Sequence, residues 1–364
     1  MEIEPKIEER KEKKVSPLEI SEEIREELSA LFRGEAFNGE KLPPVFLKIS
    51  SGKHGTKEDA DGIKPLLDEA DVYVPEVFGW GKKDLSDFKK ISQGEEVEPS
   101  EYEFVKKTEE YLSGTKKAIM IIDVPMSEIR LLPEKYNPRE DVLWSLKETD
   151  YENAIDQSFE YIQSEAEIDT IHRESHMVEH FAEKLKKVIK DNPELQKKDS
   201  IKVLIVLGDA HSSIYYILKQ IGGDNVTRDF RENPSHNFTS ETMRRIGFKK
   251  EIDDELKERV LCETIFRSSE LPYFLEEFCH DSSKKEFFLR YLVSLFSREE
   301  MKSLFEQWKN TYGYSTDIIL SFLKQKDITF PKTEEGLDTL LSQTPYGKYK
   351  KILKEKEEQK NEHS

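Results

Sequence analysis

The chain has 364 residues, enough to bury one large core or two modest ones, and equal hydrophobic and charged shares of 36 % demand a densely charged surface. A formal net charge of −18 argues against non-specific binding to nucleic acid or an anionic membrane, because both are driven by cationic patches. Two cysteines, Cys262 and Cys279, are too few for a disulfide framework; no apolar stretch marks a secretory signal, and none approaches the ~18 residues of a spanning helix, so a soluble cytoplasmic protein is expected in which the sequons at Asn225 and Asn237 carry no weight.

In chain order, residues 1–40 form a charge-rich leader with one helix expected around Ser16 to Phe32. A strand–helix alternation follows over 41–235. Its strands are Val45–Ile49, Val72–Val77, Ala118–Val124 and Lys202–Leu207, apolar on both faces as strands of a covered sheet are. Helices are expected over Asp61–Ala70, Leu85–Ile91, Ser100–Leu112, Tyr151–Gln163, Asp169–Asn192 and Ser212–Gly222, Pro65 limiting the first and hydroxyl and glycine residues capping the last. From about Glu241 the pattern turns helical, with segments Leu256–Phe266, Tyr273–Phe278, Glu286–Phe296, Met301–Tyr312 and Asp317–Leu323. The fold class that results is α/β: a mixed, mostly parallel central sheet flanked by helices, a largely helical C-terminal region over 236–345 and a charged tail over 346–364.

Three strands end on chemistry. Val203-Leu-Ile-Val-Leu-Gly-Asp-Ala-His211 stops on a glycine and presents a histidine three residues later. Val45-Phe-Leu-Lys-Ile49 runs into Ser51-Gly-Lys-His54-Gly-Thr56, and Asp71-Val-Tyr-Val-Pro-Glu-Val77 carries Glu76 at its end. Ligands of open parallel sheets bind outside the carboxyl ends of strands, where His54, Glu76 and His211 would all fall, with Asp123 as a further candidate that also suits an ordinary turn. Two imidazoles and a carboxylate suit a divalent metal that keeps open positions for water, or a general base without metal.

The helix around residue 173 carries charge on its apolar face. Ile171, Val178, Phe181, Leu185 and Val188 define that face, with Glu174 in its middle and Arg173 and Met177 at its edge. A charge facing a core needs a partner or a role: either a buried Arg–Glu pair, or support for a site at the strand ends. His176-Met-Val-Glu179-His180 also matches the H-x-x-E-H inverzincin pattern. Since His172, His176 and His180 fall toward the solvent side of the stripe, an exposed histidine row is the favoured reading.

The order of these features resembles the erythromycin esterase / ChaN / TraB–PrgY / TIKI superfamily, most nearly its TraB/TIKI-like pattern: a first G-x-x-H, an acid closing the next strand, an R-[DN]-x-x-M helix and a second G-x-x-H. Here these are Ser51–His54, Glu76, Arg173-Glu-Ser-His-Met177 and Gly208-Asp-Ala-His211. Ser51 stands in place of the first glycine and Glu174 in place of Asp or Asn. The resemblance covers residues 44–222 and implies an α/β sheet with its site at strand ends. The branches differ in activity: metal-dependent peptide cleavage, ester hydrolysis, haem binding and peptide-signal regulation. The resulting expectation is a metal-dependent hydrolase of an amide or ester bond, TraB/TIKI-like, acting on a small-molecule or peptide substrate. His54, Glu76 and His211 would hold a divalent metal ion or activate water, and Arg173 would orient an acid or a developing oxyanion. Backbone N–H groups at the start of the Ser212 helix would add to the same charge stabilisation. The alternative is a non-catalytic haem- or peptide-binding protein.

Overall fold

The structure, a computed structural model, describes residues 20–37, 39, 41–52, 54, 57–129, 139–208, 210–230, 237–311, 316–344 and 347. The leader up to residue 19 and the tail from residue 348 lie outside them, as do Gly55, Thr56 and Asp209 of the motifs. Of the leader's expected helix, Glu22–Arg33 is formed, with Ser21 Oγ accepting from the Ile24 N–H at its start.

Five strands make one sheet: β1 (Val45–Gly52), β2 (Val72–Val74), β3 (Ala118–Ile119), β4 (Ile201–Gly208) and β5 (Val226–Phe230). Their order is β3-β2-β4-β1-β5, and among the described residues every pairing is parallel, in keeping with the mostly parallel sheet expected from the sequence. Alternate residues of the central strands serve opposite faces. Leu47, Ile49, Val203, Ile205 and Leu207 pack against Leu28 and Phe32 of helix Glu22–Arg33, Phe181 and Leu185 of helix Arg173–Asp191, and Ile214 and Leu218 of helix Ser212–Gly222. Tyr73, Ile119, Leu204 and Val206 pack on the other face against Ile63 and Leu67 of helix Ile63–Glu69, Phe88 of helix Lys82–Gln93, and Phe104 and Leu112 of helix Glu103–Leu112. Burial on both faces explains the unbroken apolar run Val203–Leu207 of β4, whereas β1 leaves Phe46 exposed and Lys48 half-buried on one face.

The C-terminal helices build a separate apolar cluster around Val260, Phe266, Phe288, Phe296, Phe305 and Trp308. That cluster also takes in Tyr151, Ala154, Ile155 and Ile162 from helix Tyr151–Ala166, ahead of the boundary drawn at residue 235. The chain then continues without a break through a π-helical turn, Glu167–His172, into helix Arg173–Asp191. One helical path thus begins in the helical cluster and ends in the sheet core. Among the described residues no helix is long and apolar enough to cross a membrane.

Candidate functional site at the carboxyl edge of the sheet

An all-parallel sheet sends every strand's carboxyl end to one edge, where the loops are free to carry chemistry. β1 and β4 are neighbours with Gly52 opposite Gly208 and Ser51 opposite Leu207. The glycine equivalent to Gly208 is therefore Gly52, one residue later than the sequence pattern placed it. His54 follows two residues on. His211 precedes helix Ser212–Gly222 at its N-cap. β2 stops pairing with β4 at Val74↔Ile205. Beyond that point the Glu76 carboxylate takes over as acceptor, receiving the Gly208 N–H on Oε2 at 2.5 Å, so a backbone donor left by the ended ladder is satisfied by a side chain.

Glu76 is the centre of the cluster. Its Oε1 accepts from Arg173 Nη2 at 2.7 Å and lies 3.1 Å from His211 Nε2, while His54 Nε2 stands 3.3 Å from its Oε2. A Cβ placed on Gly208 would meet Glu76 Oε2 at 3.4 Å, His54 Nε2 at 3.7 Å and His211 Cδ2 at 3.8 Å, which shows how closely the three converge above that glycine. Arg173 also grips Asp123, with Nε to Oδ1 at 2.9 Å and Nη2 to Oδ2 at 2.7 Å. On the far side of His211, Nδ1 lies 3.4 Å from Oε1 of the fully buried Glu174. Phe78 stacks under the guanidinium at 4.6 Å, and Phe104 meets the His54 ring edge-on at 4.5 Å.

All four sequence-nominated residues, His54, Glu76, Arg173 and His211, are thus brought together. Asp123 proves to be both things the sequence allowed: its Oδ1 accepts the Val124 N–H in a local turn, and its carboxylate anchors Arg173. Glu174 is the member left off that set. Its signal was a carboxylate in the middle of an apolar helix face, and that carboxylate lies 3.4 Å from His211 Nδ1.

The charges are mutually tuned. Burial alone would raise the Glu76 carboxyl, but His211, His54 and Arg173 outweigh it and hold it well below the usual carboxylate range. Burial would likewise discharge His211, yet Glu76 and Glu174 keep its proton on up to about pH 10. Burial raises the Glu174 carboxyl, with His211 opposing.

This donor set does not fit a divalent ion as arranged. Metal binding releases the protons of its imidazole ligands, and at His211 both ring nitrogens already face acids, Nε2 at 3.1 Å from Glu76 and Nδ1 at 3.4 Å from Glu174. Both Glu76 oxygens already face N–H donors, one of them a guanidinium. Among the described residues no group of three or more His, Cys, Asp or Glu side chains is placed to hold a metal.

The histidine row is only partly exposed, contrary to expectation. His172 is exposed, but His176 is buried, 3.2 Å from Glu128 Oε2 and stacked on His180 at 4.1 Å. Burial and the His180 charge push its imidazole down to about 4. His180 Nδ1 is taken up by the His176 carbonyl at 2.9 Å. Comparison with known proteins adds no relative: no family model, no curated protein and no solved structure matches the chain.

Proposed function

We propose that the chain is a hydrolase of ester or amide bonds, with a small-molecule or peptide substrate, in which His54 is the base that activates water. The observation that carries this reading is the graded exposure of one connected cluster: the His54 side chain is 28 % exposed, against 4 % for His211 and 8 % for Arg173. His54 faces outward, and the charges behind it are sequestered and paired. With His54 Nε2 3.3 Å from Glu76 Oε2, a proton on that nitrogen leaves Nδ1 as the lone-pair nitrogen that takes a proton from water, and the Glu76 carboxylate offsets the imidazolium that forms. His211, with Nε2 3.1 Å from the same carboxylate and Nδ1 3.4 Å from Glu174, holds Glu76 from behind.

Arg173 directs Nε and Nη2 to the two acids, so its part is to position Glu76. The resemblance to a superfamily with ester- and peptide-cleaving branches supports the same assignment. The test is His54→Gln in the full chain with nitrophenyl esters and generic peptides as substrates. Turnover should fall ~10²–10⁴-fold with the fold retained. Equal turnover in wild type and variant would remove His54 from the chemistry. Activity that tracks a bound ion would bring a metal into the site, and a Soret band on haem addition without turnover would replace hydrolysis by binding.

A further inference from the structure

The helix that delivers Arg173 and Glu174 to the site begins in the other core. Its first half buries Tyr151, Ile155, Ser158, Ile162 and Ala166. Continued at 3.6 residues per turn, that stripe would reach the sheet through residues 169, 173, 176 and 180. The stripe set into the sheet core is instead Met177, Val178, Phe181, Ala182, Leu185 and Ile189, later by about one residue, or roughly 100° of rotation. The π turn supplies that extra residue. Its closing hydrogen bond is made by the Arg173 N–H itself, to the Ile168 carbonyl.

The turn is held from the helical half. Thr170, in its middle, is 4 % exposed, and a Cβ on Gly247 would lie only 2.6 Å from its Cγ2. Gly247 ends helix Phe238–Gly247, whose approach to the turn leaves no space for a side chain. Threonine is β-branched and held to two χ1 rotamers in a helix, so its methyl has little freedom to yield. The next residue, Phe248, packs edge-on against Tyr216 at 5.5 Å, on the helix that His211 precedes. The same short segment therefore touches the supports of both ends of the charged cluster.

We propose that Thr170 and Gly247 are positioning residues, through which the helical half sets the register of the π turn and so holds Arg173 on Glu76 and Asp123 and Glu174 beside His211. This goes beyond the hydrolase reading and stands whichever bond is cleaved.

The experiment is Gly247→Ala in the full chain, read by the imidazole resonances of ¹⁵N-labelled histidine at pH 8. The added methyl should displace the turn and move His211 from its charged toward its neutral signature. Thr170→Ser in the same chain deletes the obstructing Cγ2 and should restore the signature. Val260→Ala, a cavity in the helical cluster outside the Thr170–Gly247 contact, should lower Tm and leave His211 where it is. If esters are turned over, the rate should fall at least ~10-fold in Gly247→Ala and recover in the double variant. The imidazole readout needs no turnover, so a failed hydrolase assignment leaves the test intact. An unmoved His211 in Gly247→Ala, a double variant that does not recover, or an equal shift in Val260→Ala would each overturn the proposal. Should Gly247→Ala not fold, Thr170→Ser alone loosens the same contact: a partial shift supports the proposal and none overturns it.

Discussion

His211 carries a proton where burial would remove it, and that has a consequence for stability. Its ordinary value is 6.5, and Glu76 and Glu174 lift it to about 10 in the folded chain. A raised folded value means the contribution is complete below about pH 6.5 and is lost as pH climbs through about 10. Glu76 acts in the opposite direction: its depressed value stabilises above the ordinary carboxylate range and fails only in acid. Urea unfolding across pH 6.5 to 10 should therefore show wild-type stability declining through that window and His211→Gln, weaker at the outset, declining much less. A variant as alkali-sensitive as wild type would move the titration to another group. At this scale His211 and Glu76 were readable because each closes an apolar strand. The contacts of Asp123 and Glu174 were not, since Arg173 lies 50 residues from Asp123 and no local pattern links them.

Among the elements, the strands with an apolar run were legible, the edge strand β3 included, and the other edge strand, β5, was not. β5 reads Val-Thr-Arg-Asp-Phe and buries only Val226 fully, so it lacks the apolar run that betrayed its neighbours. The π turn is equally silent, since periodicity extrapolated through it assumes 3.6 residues per turn throughout. That is why Ile171, expected on the apolar face, is exposed; His176, beyond the turn, lies off that face and is buried instead beside Glu128 and His180. Ser51 was matched to Gly208 by spacing, whereas strand register pairs Gly208 with Gly52. The join between β5 and the sheet core offers a check remote from the site. A Cβ on Gly222, at the end of helix Ser212–Gly222, would meet Val226 Cγ2 at 2.6 Å and Phe32 Cδ2 at 2.8 Å. Gly222→Ala should cost about 2 kcal/mol by overpacking, measured by urea unfolding, with the His211 resonance unchanged. A neutral effect would mean that β5 and the first helix yield readily there.

For the molecule as a whole, the question is whether the helical half is an appendage or part of the site's frame. Charge and periodicity placed the division near residue 235, and by sequence the strand–helix alternation does end there. The packing runs differently, because a helix belonging to the first half by order has its beginning in the core of the second. Cutting the chain at 235 would strip Tyr151, Ala154, Ile155 and Ile162 of the residues that cover them. Re-exposing a large apolar side chain costs about 1.5–3 kcal/mol, and three of these four are large. Their sum is comparable with the 5–15 kcal/mol that stabilises a typical domain. The cut would also remove Gly247 from Thr170 and Phe248 from Tyr216. A fragment ending at 235 should therefore keep helical far-UV CD, lose near-UV CD, bind ANS and lack the charged His211 signature, the behaviour of a chain whose packing has loosened. Cooperative unfolding of that fragment with a wild-type His211 resonance would show instead that the sheet and its carboxyl-edge cluster are self-sufficient, and that the long helix merely passes between two independent cores.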